Sequence, residues 1–114
     1  MFYEKDAFKQ LKKQTSRDCV VCIGKCKGHK DITEQEPVSI IIADKGIFLE
    51  RAKGQDAIVR MEQITAYKQS ENTLQFRTTD AAAKKLMLII SSQHNRDKAC
   101  KILNKYMTRE GGLS

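Results

Sequence analysis

The sequence predicts a mainly β protein with added α structure: about seven short antiparallel strands in a partly open barrel, capped by a C-terminal helix and preceded by a short N-terminal one. Three observations carry this. Between residues 19 and 90, apolar and polar residues alternate with a period of two, as in Leu74 and Phe76 against Thr73, Gln75 and Arg77. Turn-forming tripeptides and tetrapeptides cut that region into pieces too short for helices. Beyond residue 95 the period becomes helical, with Ala99, Ile102, Leu103 and Tyr106 at i, i+3, i+4 and i+7.

Taken in order, residues 2 to 14 read as an amphipathic helix, because Tyr3, Ala7 and Leu11 recur at i, i+4 with Phe8 beside them and the lysines elsewhere. Strands are expected at 19–27, 37–43, 47–52, 57–61, 64–69, 73–78 and 85–91. Pro37 falls at a strand start, where its missing amide costs least. Asp44-Lys45-Gly46 separates the apolar runs VSIIIA and IFLE, and the glycine supplies the positive φ that a tight hairpin needs. Ala52-Lys53-Gly54-Gln55 and Gln69-Ser70-Glu71-Asn72 are turns by the same reasoning. The closing helix is expected over 96–109 with Asn95 as N-cap, and Gly111 and Gly112 can terminate it.

The chain has 114 residues, the size of one domain, and 40% hydrophobic residues suffice for a core without metal or disulfide. This composition excludes collagen, a coiled-coil rod and a wholly disordered chain. Its apolar runs fall far short of the ~20 residues that cross a bilayer as a helix, so no transmembrane segment is expected. Charges occupy the stretch MFYEKDAFKQ where a secretory signal would be apolar, which predicts a cytoplasmic protein with reduced cysteines. The net charge is +7, and it is uneven. Residues 1–30 hold eight basic against three acidic side chains, a net +5, which favours an anionic partner over a neutral one.

The segments SIIIADKGIFLERAKG, IVRMEQITAY, LQFRTT, KLMLIIS and KACKILNKYM resemble the pleckstrin-homology-like (PH-like) superfamily, particularly its small bacterial and GRAM-like members. In that superfamily an apolar run, a D-x-G turn and an apolar-basic run precede an I-T-x-apolar step, and residues 40–52 and 62–67 look like those pieces. The resemblance spans residues 19–107 and implies a domain over 19–110, an N-terminal extension over 1–18, a tail over 111–114, and a non-catalytic binding or assembly scaffold. Lipid-binding members carry a K-xn-[K/R]-x-R pattern over the first two strands. Here Lys25, Lys27 and Lys30 supply the first loop, and the second strand offers no arginine, which removes the basis for headgroup specificity. The tryptophan that many eukaryotic members pack on the last helix is also missing.

Cys19, Cys22, Cys26 and His29 form C-x2-C-x3-C-x2-H, a spacing that could hold zinc. Strand alternation opposes this, because it sends Cys19 to one face and Cys22 and Cys26 to the other, as small core residues. No zinc and no other cofactor is therefore expected. The only histidines are His29 and His94, in polar stretches, and no nucleophile, P-loop or dinucleotide motif occurs, so catalysis is not expected either. The favoured function is protein interaction or self-association, with Phe2, Tyr3 and Phe8 as candidate contacts. The alternatives are weak binding of anionic lipid or nucleic acid by Lys9, Lys12 and Lys13 of the helix together with Lys25, Lys27 and Lys30 of the first turn.

Overall fold

The computed structural model describes residues 19–107. Among them are seven strands, β1 (Val20–Lys27), β2 (Val38–Ala43), β3 (Gly46–Arg51), β4 (Ala57–Arg60), β5 (Ile64–Ser70), β6 (Thr73–Thr78) and β7 (Lys85–Ile89), and one helix, α1 (Gln93–Tyr106). The fold is the expected mainly β one. The helix expected over 2–14 and the tail 111–114 lie outside the described residues, as do positions 108 and 109 of the expected closing helix, while the helix itself ends at Tyr106 with Met107 as its C-cap.

All pairings are antiparallel, and the spatial order is β4-β3-β2-β1-β7-β6-β5. Strand β1 joins two sub-sheets. Its first half pairs with β2, from Val20 opposite Ile42 to Gly24 opposite Val38, and its second half pairs with β7, from Lys25 opposite Ile89 to Lys27 opposite Met87. The corner falls at Gly24, where an added Cβ would lie 2.2 Å from the Ile89 carbonyl oxygen and 2.9 Å from Ile40 Cδ1. Only glycine lets the β7 backbone pass so closely. The β2–β3 turn is the expected one, with Gly46 at φ 132°.

Alternation drives one set of side chains inward from both sub-sheets. Ile40, Ile42, Ile47, Leu49, Leu74, Leu86 and Leu88 are fully enclosed, and Ala99, Ile102 and Leu103 of α1 close the barrel over them. The stripe read from the sequence is thus the buried face of the helix. Its other attachment is polar. The Tyr67 hydroxyl on β5 bonds Asn104, and buried Arg96 donates from Nε to Gln69 Oε1 at 3.0 Å and from a terminal nitrogen to the Ile90 carbonyl.

The helix begins earlier than the apolar period indicates. Ser92, not Asn95, is the N-cap, because Ser92 Oγ accepts from the Asn95 amide at 3.2 Å. Gln93 and His94 form the first turn but are exposed, so they leave no apolar mark on the sequence.

Candidate functional site

The barrel's interior is filled, so what the molecule offers a partner is its outside. Along β1 the outward residues are Val21, Ile23, Lys25 and Lys27, apolar before Gly24 and basic after it. Each half continues across its own sub-sheet.

On the first sub-sheet, Val21 lies opposite Ile41, Ile41 opposite Phe48 and Phe48 opposite Ile58, which draws one apolar row across four strands. The middle of the row is covered: Ile41 and Phe48 are 1% and 0% exposed although they face away from the main core. Its ends are open. Val21 is 53% exposed, Ile58 37%, and Ile23, two residues along β1, 73%. These are the exposed large hydrophobic residues of the described chain, and all three share one face.

On the second sub-sheet the outward rows are basic. One runs Lys27, Met87, Gln75, Lys68, the next Lys85, Arg77, Ala66, and Lys25 lies opposite Ile89. Lys68, Gln75, Arg77, Lys85 and Met87 line a shallow trough of about 420 Å³ across β5, β6 and β7. The structure keeps Lys25 and Lys27 in β1, as the strand expected over 19–27 has them and not in the first loop that the superfamily pattern gave them, because the alternation of β1 persists through Lys27. Lys30 stays in the following turn, where its amide donates to the Ala82 carbonyl at 2.9 Å. Lys9, Lys12 and Lys13, with Phe2, Tyr3 and Phe8, lie outside the described residues. Lys68, Arg77 and Lys85 escaped the sequence reading because each sits alone in its own strand and only the register brings them together.

The cysteine and histidine cluster is not brought to one place. Cys22 and Cys26 face the core while Cys19 precedes β1 on the other parity, and among the described residues no group of three or more His, Cys, Asp or Glu could hold a metal ion. Burial pushes the Cys26 thiol up to about 11, with the Glu36 carboxylate adding in the same direction, and burial also raises Cys22 and Cys100. Raised thiol values mean little thiolate at neutral pH. His29 accepts the Asp31 amide on Nδ1 at 3.1 Å, and burial lowers its pKa. His94 is exposed on the first turn of α1. Beside His29, Arg51 makes a two-pronged contact with Glu36, Nε to Oε2 at 3.2 Å and a terminal nitrogen to Oε1 at 3.0 Å, which holds the Glu36 carboxyl below its usual value.

The class that this architecture defines is the PH-like fold: an antiparallel sheet of seven strands bent into a partly open barrel with one C-terminal helix over the opening. No family model matches the chain, and no curated protein matches it. A solved structure does: the crystal structure of the FERM and C-terminal domain complex of Drosophila Merlin, at a TM-score of 0.50 and 13% identity, over 75% of this chain and 30% of that one. The C-terminal lobe of a FERM domain has the PH-like fold, so the likeness supports that fold and extends to nothing finer. Among the described residues no helix is long and apolar enough to cross a membrane.

Proposed function

We propose that this chain is a non-catalytic PH-like assembly module of the small bacterial or GRAM-like kind, working in a cytoplasm where its thiols stay reduced, and that it self-associates through the outer face of the first sub-sheet. The observation that carries the reading is the gathering of Val21, Ile23 and Ile58 on that one face, 53%, 73% and 37% exposed. Apolar area left open by a chain's own fold is where another chain gains most by docking. A second copy brings the same apolar ends, as a two-fold interface requires. Phe2, Tyr3 and Phe8 are proposed to widen that contact. The Merlin structure, itself a complex of a FERM domain with a C-terminal domain, is in keeping with a protein-binding use of this scaffold.

Light scattering over a concentration series tests the reading. The intact chain should dimerise, and Ile23→Glu should stay largely monomeric over the same range, with the melting temperature that the unaltered chain shows at dilutions where it too is monomeric. Each buried isoleucine contributes roughly 1.5 to 3 kcal/mol, so the variant should dimerise at least about tenfold more weakly. Phe2→Ser/Phe8→Ser should weaken the dimer in the same direction. An intact chain that remains monomeric at the highest concentrations overturns the proposal.

A further inference from the structure

We infer that the outer face of the second sub-sheet is a binding site for the phosphate backbone of nucleic acid, read by charge and without base preference. The site is distinct from the apolar face, since the two lie on different sub-sheets either side of Gly24.

Four observations carry the inference. First, five cations, Lys25, Lys27, Lys68, Arg77 and Lys85, come from four strands to one outward surface through the register. Second, no outward position of β5, β6, β7 or the second half of β1 holds an acidic residue, so the field of these cations is not cancelled on their own face. Among the described residues the carboxylate paired with them is Glu34, 3.5 Å from Lys27, and both side chains are about half exposed, so the pair is weak enough to yield to a phosphate. Third, the surface between Lys68, Arg77 and Lys85 is concave, and a trough accepts a linear polyanion lengthwise, with the planar Arg77 guanidinium suited to two oxygens of one phosphate. Fourth, the aromatic rings under the trough turn inward: Phe76 is 2% exposed and the Tyr67 hydroxyl is engaged with α1. Without an outward ring there is no stacking platform, which leaves the backbone as the part recognised.

A membrane surface would also answer to charge, but this face suits it less. Met87 and Ile89 are half-buried in the middle of the sheet, and the exposed large hydrophobic residues among those described all belong to the other sub-sheet, so none of the described residues on the basic face is placed to enter a bilayer.

The test uses the full chain, fluorescence anisotropy with a labelled 20-nucleotide thymidine strand, and vesicles of phosphatidylcholine with phosphatidylserine at matched ionic strength. Binding to the oligonucleotide should weaken as salt rises, and Lys68→Gln/Arg77→Gln/Lys85→Gln should flatten the slope of log K on log salt by about 2, at ~0.7 per lost contact, with affinity down at least tenfold at low salt. A matching adenosine strand should bind within about threefold of the thymidine one. Single Lys68→Gln, an exposed change on the edge strand, should flatten the slope by about 0.7 and guards against a triple variant that folds poorly. Ile23→Glu should bind the oligonucleotide as the unaltered chain does, which separates failure here from failure of the assembly proposal. Three outcomes would overturn the inference: an unchanged salt slope in the triple variant, an equal or larger loss in Lys9→Gln/Lys12→Gln/Lys13→Gln, or binding to the vesicles without binding to the oligonucleotide.

Discussion

The two sub-sheets enclose one core and present opposite outsides. In the first, the outward row Val21, Ile41, Phe48, Ile58 is apolar from edge to centre. In the second, the outward rows carry Lys27, Lys68, Arg77 and Lys85 around Met87 and Gln75. Strand β1 belongs to both and changes character at Gly24, where its partner changes. Inward residues answer to packing, which is the same problem on both sides. Outward residues other than the covered pair Ile41 and Phe48 are not bound by it, so a systematic difference between them reflects what each face meets.

The sharpest way to break the comparison is to attack what the two halves share. Leu103, fully enclosed on α1, packs into the common core, and Leu103→Ala should cost about 2 to 5 kcal/mol in a single cooperative transition. Two separate melting steps would show that the sub-sheets have separate cores, and a near-neutral shift would show that α1 does not close the barrel. Next comes the corner itself. Gly24→Ala puts a Cβ against the Ile89 carbonyl and should cost roughly 1 to 3 kcal/mol, with amide protection lost first where Lys25, Cys26 and Lys27 pair with β7.

A smaller effect should follow from Cys26, inward on the second half of β1. Its pKa is raised from 9.0 to about 11, so the folded chain keeps a proton that the unfolded chain loses between those values. Stability is therefore full below about pH 9 and falls as pH rises toward 11. Cys26→Ala should flatten that part of the pH profile, and a profile unchanged by the substitution would place the titration elsewhere. The smallest effect distinguishes the hairpins. The β2–β3 turn meets its positive φ with Gly46, whereas the β5–β6 turn has Glu71 at φ 48°. Glu71→Gly should stabilise the protein by about 0.5 kcal/mol, the relief of left-handed strain set against extra freedom in the unfolded chain. A destabilised variant in thermal melting would mean that the Glu71 side chain does more than occupy the turn.

Much of this was legible from local chemistry. Strand bounds fell within about two residues of those found, because a period of two and the Asp44-Lys45-Gly46 turn are properties of neighbours in the chain. The inward placement of Cys22 and Cys26 followed from the same alternation, and the buried face of α1 followed from a helical one. The Ser92 cap was not legible, since the exposed turn it starts has no apolar period. Arg96 reads as a surface residue in sequence, and its burial depends on Gln69 and the Ile90 carbonyl arriving from elsewhere.

The sequence by itself determined which residues form strands, which form the helix and which face of each is apolar, because those depend on spacing along one segment. Only the tertiary structure decided which strands neighbour one another. That decision joined Val21 to Ile58 across four strands and gathered Lys68, Arg77 and Lys85 around one trough. Cross-strand register is fixed by burying all the inward rows at once, a condition on the whole chain that no single segment carries.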